Sequence, residues 1–159
     1  MPKRRRSLLL VLPFLGLLSL GCGPRTQFKA PPMLLDDGVH VEVTDAFVRG
    51  DRIFIEAWVT NDSKKTIRVN PEGWAVKLPT GELIAQRVFA QEPDVYLLGP
   101  AAERRVDVDF RQPGYDLAGL GDMRLVVGGI SIGESSTEFV VGEIPLTQAP
   151  AQTEAATSK

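Results

Sequence analysis

The chain has 159 residues, with 18 Lys and Arg against 20 Asp and Glu, one His, one Cys and a formal net charge of −2. A zinc site usually draws on several Cys and His ligands, which this chain does not supply. A Ser-His-Asp set would have to use His40, which at the start of the first strand reads instead as an exposed or edge histidine. The weakly acidic, interspersed charge also argues against a nucleic-acid binder, whose footprint is a basic patch or stripe.

In chain order the first element is "MPKRRR", followed by the apolar run "SLLLVLPFLGLLSLG" over residues 7–21. A basic start, a short apolar stretch and small residues at its end describe a secretory signal peptide, residues 1–21. A membrane-spanning helix takes about 18 or more apolar residues. This run has 15, with Pro13 and Gly16 inside it. "RRSLL", residues 5–9, also has the look of a twin-arginine export signal, a pattern that ordinary signals produce by chance.

"SLGC", residues 19–22, resembles the lipobox of bacterial lipoproteins. Gly21 and Cys22 match its two most restrictive positions, while Ser19 and Leu20 depart from the common leucine and small residue. The resemblance implies cleavage before Cys22, diacylglycerol on its thiol, an acyl chain such as palmitate on the new amine, and attachment to a lipid membrane. Gly23, standing where an aspartate would retain the protein, implies the outer membrane of a two-membrane host, at its periplasmic face or the cell surface. Ordinary secretory cleavage leaving a free thiol is the alternative. A lone exposed thiol in an oxidising compartment invites pairing between molecules, and lipidation removes it. Two or three chains hold firmly, since each buried methylene adds about 0.8 kcal/mol of membrane affinity.

Cleavage there would move the net charge from −2 to −6, because four of the 18 basic residues and none of the acidic ones precede Cys22. Residues 22–38 hold three prolines and little periodicity, and read as a lipidated cysteine on a flexible tether. Residues 147–159 hold no large apolar side chain and read as a disordered tail. The remainder, 39–146, is about one small domain by length.

Within that domain the period is two, which predicts strands. "VHVEVTDAFV" (39–48) alternates at first, "RGDR" supplies a tight turn, and "IFIEAWVT" (53–60) places Ile53, Ile55, Ala57 and Val59 on one face. Phe54 and Trp58 on its other face predict a central strand. "TIRV" (66–69), "WAVKL" (74–78), "ELIAQRVF" (82–89), "RRVDVDF" (104–110), "MRLVV" (123–127) and "TEFVV" (137–141) follow, separated by Pro- and Gly-containing turns. The fold class is therefore all-β, an immunoglobulin-like β-sandwich of about seven or eight strands, with a small barrel as the alternative.

"IFIEAWVTNDSKKTIRV", a tryptophan strand, "PTGE" and "LLGPAAERRVDVDFRQP" are together similar to a bacterial family of immunoglobulin-like lipoprotein domains. The matching positions are Asn61, Leu98, Pro100, Phe110 and Pro113. The family often has Pro-Gly where this chain has Pro100-Ala101. The resemblance implies a fold; the family has no general assigned activity.

Candidate chemistry is sparse. Asp107 and Asp109 share a strand face about 7 Å apart at strand rise. They are candidate calcium ligands if a neighbouring strand adds oxygens, or a solvated face compensated by Arg105 and Arg111. Glycoside hydrolysis needs paired carboxylates, and the sequence selects no pair. "GGISIG" (128–133) has no helix after it and reads as turn chemistry. Trp58 shares a face with Phe54 and reads as sheet packing, whereas Trp74, at a strand start, is a candidate binding aromatic or a core residue. Phe89 and Tyr96 are candidate binding aromatics in the loop 86–100, which with loops 61–65 and 111–121 would meet a partner.

The sequence thus predicts a membrane-anchored lipoprotein presenting a non-catalytic, cofactor-free binding or accessory domain to a protein or polymer of the bacterial cell envelope. The alternatives are a carboxylate-dependent envelope hydrolase and a structural assembly lipoprotein without a discrete ligand.

Overall fold

The computed structural model describes residues 25–35, 38–86, 95–133 and 142–150. The signal segment, Cys22, Phe89 and the strand expected at 137–141 lie outside them. Among the described residues no helix is long and apolar enough to cross a membrane. The strands are β1 (Thr26–Lys29), β2 (Met33–Leu35), β3 (Val39–Arg49), β4 (Arg52–Asn61), β5 (Ile67–Val69), β6 (Ala75–Lys77), β7 (Leu83–Ala85), β8 (Tyr96–Leu98), β9 (Glu103–Arg111), β10 (Met123–Val127), β11 (Ile130–Ile132) and β12 (Gly142–Gln148).

The long antiparallel hairpin β3–β4 turns at Gly50-Asp51, where Gly50 takes φ +60°, a conformation only glycine adopts without strain. β4 lies between β3 and β9, the central position that its two apolar faces require. Its inward residues Ile53, Ile55, Ala57 and Val59 are buried, as are Val106, Val108 and Phe110 of β9. Fully burying a Val or Ile side chain is worth about 1.5–3 kcal/mol, so this face fixes the register. In β3 the buried positions switch from Val39 and Val41 to Ala46 and Val48, because the pairing slips by one residue between Val43 and Asp45. That bulge turns Asp45 and Phe47 outward.

The main sheet has nine strands in the order β7-β6-β10-β12-β1-β3-β4-β9, with β2 paired beside β1 on β3. A bridge between Gln86 and Phe110 brings its two ends together, so the sheet is nearly closed and barrel-like. A separate sheet, β11-β5-β8, contributes Ile67, Val69 and Ile130 to the same core as Trp74, Leu125, Ile144 and Leu146.

Two expectations need correction. Within the expected tether 22–38, residues 25–35 are not free chain: β1 pairs with both β3 and β12, and β2 pairs with β3. Nor does the tail begin at residue 147, because Gln148 pairs with Phe28, and Ala149 N–H donates to Gln27 O at 2.8 Å. The cause is mutual: β1 supplies the backbone partners that hold the end of β12, and a backbone group left unpaired in that setting is costly.

Of the positions that carry the resemblance, Leu98 and Pro100 lie around Asn61, which is wholly buried, whereas Phe110 pairs opposite Ile53 at the other end of β4. The Asn61 Nδ2 donates to the carbonyls of Lys65, Leu98 and Gly99 at 2.8, 2.9 and 3.0 Å. Its Oδ1 accepts from the Ser63 N–H at 3.0 Å and the Ser63 hydroxyl at 2.6 Å. The turn it holds, Gly99 to Ala102, has Pro100 second and Ala101 third, with Ala101 at φ +60°. A turn with that third residue favours glycine. Ala101→Gly is therefore expected to stabilise the protein by about 0.5–1 kcal/mol, seen as a higher urea midpoint at unchanged m-value.

Candidate functional site

The outward face of β3, β4 and β9 carries the densest chemistry among the described residues. Cα partners run across the three strands in rows: Asp45, Glu56 and Asp107, then Phe47, Phe54 and Asp109, then Arg49, Arg52 and Arg111. Phe47 and Phe54 stack with ring centroids 4.9 Å apart and planes 19° from parallel. Such a pair is worth about 0.5–1.5 kcal/mol beyond its buried area.

Arginines bracket the stack. The Arg25 guanidinium sits 3.7 Å from the Phe47 centroid and pairs with Asp45 at 2.6 Å, while Gln27 donates to the other Asp45 oxygen. The Arg52 guanidinium lies 4.9 Å from the Phe54 centroid and pairs with Asp109. On the next row Arg105 reaches Glu56 at 2.7 Å and Asp107 at 3.0 Å. The result is a groove of about 220 Å³ with a phenylalanine floor and carboxylates from Asp45, Glu56, Asp107 and Asp109 at its sides.

The electrostatics follow from these contacts. The hydrogen bond to Asp107 holds Arg105 more firmly protonated, and the one to Asp109 does the same for Arg52. The Arg111 guanidinium beside Asp51 holds that carboxyl below the usual aspartate range. Asp107 and Asp109 do share one face, but each is matched to an arginine. Arg111, expected to compensate them, turns to Asp51 at 2.8 Å, and Arg52 from the neighbouring strand takes Asp109 instead. Among the described residues no three His, Cys, Asp or Glu side chains are grouped to hold a metal.

The other sequence candidates are dispersed. Trp74 is wholly buried and is not a binding aromatic. The lack of a Cβ on Gly73 explains this, since a Cβ there would stand 2.6 Å from the Gly129 nitrogen. The close approach of backbones carries the start of β6 into the core. Tyr96 is half-buried with the Arg104 guanidinium 4.6 Å from its ring centroid, beside Leu97, which is 73% exposed. Trp58 lies on the outward face of β4, between Glu42 and Arg105. His40 Nε2 lies 3.2 Å from Asp62 Oδ2 at the opposite end of β3 from the hairpin turn. Sequence reasoning missed Phe47 and Arg25. The signal for Phe47 was the broken alternation in "VTDAFV", which marks the bulge.

No family model matches the chain, and no curated protein matches it. Solved structures do. The yjhA protein from Bacillus subtilis matches at 14% identity and a TM-score of 0.43, over 65% of this chain and 77% of that one. A structural-genomics target designated SoR45 matches at 14% identity and a TM-score of 0.42, over 70% and 88%. Likeness this distant carries nothing about function.

On the far side of the sheet, Glu143 of β12 accepts from Lys77 at 3.0 Å and Arg124 at 3.2 Å. The Lys77 hydrogen bond, opposed by partial desolvation and aided by Arg124, holds its carboxyl below the usual glutamate range. A lowered folded pKa gives stability that is complete above the ordinary value and lost as pH falls through the folded one. Urea midpoints from about pH 7 down to about pH 3 should therefore decline less steeply in Glu143→Gln than in the wild type.

Proposed function

We propose that this protein is a bacterial lipoprotein, anchored through acylated Cys22, that presents a non-catalytic binding domain to a protein or polymer of the cell envelope. The observation that carries the binding part is the groove over the Phe47–Phe54 stack. Its apolar floor and charged sides suit recognition, which needs an apolar contact area with a few placed polar groups. A carboxylate-dependent hydrolase needs a carboxyl able to give up or take a proton at the reacting bond. Each of Asp45, Glu56, Asp107 and Asp109 is instead engaged by an arginine. The anchoring part rests on the lipobox-like "SLGC" and on a domain that needs no cysteine of its own.

We also infer that the barrel-like sheet is an immunoglobulin-like sandwich whose two faces stay joined. β1 pairs with β3 on one side and β12 on the other, linking the group β2-β3-β4-β9 to the group β12-β10-β6-β7.

A photo-crosslinking amino acid placed at position 56, in the groove, tests the presentation. In intact cells it should give a discrete adduct that the same probe at position 124, on the opposite side of the sheet, does not. Equal adducts at both positions, or none at position 56, would remove the binding reading.

A further inference from the structure

We propose that the hairpin end of the domain docks on the phospholipid headgroup surface, so that the barrel stands on that end. This orientation rests on anchoring through Cys22. β1 begins at Thr26, and Thr26 lies opposite Val48 of β3, one residue from Arg49 and two from the Gly50-Asp51 turn. The chain therefore enters the fold at the hairpin end. From Cys22 to Thr26 the chain advances four residues, which even fully extended reach only about 14 Å. A lipid-linked Cys22 holds the hairpin end within that distance of the bilayer.

The surface brought there suits headgroups. Arg49, Arg52 and Arg111 stand side by side across β3, β4 and β9. Backbone bonds from Gln112 to Asp51 O at 3.0 Å and from Leu117 to Gly50 O at 3.1 Å lay the turn 112–117 against the hairpin tip. Tyr115, in that turn, is 47% exposed. Arginine matches phosphate oxygens with charge-assisted bonds, and tyrosine sits at headgroup level with its ring toward the acyl chains. Arg52 and Arg111 already hold Asp109 and Asp51, so the headgroup contact falls chiefly on Arg49 and Tyr115. The ten residues of β4 span about 33 Å, which lifts the loop 61–65 clear of the surface and leaves the groove facing sideways.

The test uses the lipidated protein in vesicles of phosphatidylethanolamine and phosphatidylglycerol containing a headgroup quencher. Pro113→Cys and Lys64→Cys each supply one labelling thiol for a fluorophore, since the Cys22 sulfur is consumed by the lipid. Both positions are exposed, and Arg49 and Tyr115 stay intact. The expected result is quenching severalfold stronger at position 113 than at 64. Equal quenching, or stronger quenching at 64, in protein that floats with the vesicles would overturn the orientation alone. Protein that does not float would overturn the anchoring and the orientation together.

Discussion

Asn61→Ala is expected to destabilise the protein by about 3–5 kcal/mol, enough to leave a typical small domain mostly unfolded on modest warming. The wild-type side chain makes five hydrogen bonds in a wholly buried position. Truncation leaves the carbonyls of Leu98 and Gly99 without the amide that joins them to the end of β4. An unsatisfied buried polar group costs about 1–3 kcal/mol, so two or three such losses reach the stated range. Asn61→Leu separates polarity from volume. It fills the space with an apolar group, and recovery of less than half of the lost stability in urea denaturation would show that the hydrogen bonds dominate. A loss below about 1 kcal/mol for Asn61→Ala would refute the clamp.

Gly129→Ala is expected to cost a similar amount for a different reason. Gly129 sits where the chain leaves β10 of the main sheet and enters β11 of the small one. It has φ +65°, and a Cβ there would overlap the Asn70 carbonyl oxygen and stand 3.2 Å from Gly73 Cα. Both obstacles are backbone, and Asn70 N–H is itself bonded to Gly129 O at 2.8 Å, so neither yields easily. Gly50→Ala is the matched control, with φ +60° but nothing within 4 Å of the added carbon. It should cost about 0.5–1 kcal/mol, the left-handed strain less the entropy that alanine removes from the unfolded chain, as at Ala101. Gly129→Ala should exceed it by at least about 2 kcal/mol, the usual scale of forced overpacking. Equal midpoints for the two variants would mean that the backbone contact around Gly73 carries no weight.

Strands β4 and β9 were legible because their alternation survives over eight or more residues, and β3 because it alternates as far as Val43 and then runs into the turn at Gly50-Asp51. β1, β2, β8 and β11 were not, since three or four residues carry no readable period and are held by partners far along the chain. β1 is the clearest case. "TQFK" has no strand signature until β3 and β12 are both in place to accept it. The same limit hid part of the groove. Asp107 and Asp109 declared their shared face through simple alternation in β9. Phe47 did not, because the bulge reverses the phase of β3, and Arg25 lay in a stretch that looked like tether. Trp74 was ambiguous for a related reason. Gly73 resembles a loop glycine until Gly128 and Gly129 approach it.

The proposed role of Cys22 as a lipid anchor for a folded binding domain stands or falls on its acylation. Cells grown with labelled palmitate, carrying either the wild-type protein or Cys22→Ala, test it directly when membrane and soluble fractions are compared. The predicted result is labelled wild-type protein in the membrane fraction and an unlabelled Cys22→Ala protein that is absent from the lipid-linked pool. Label retained by Cys22→Ala, or wild-type protein that is exported yet unlabelled and soluble, would contradict it.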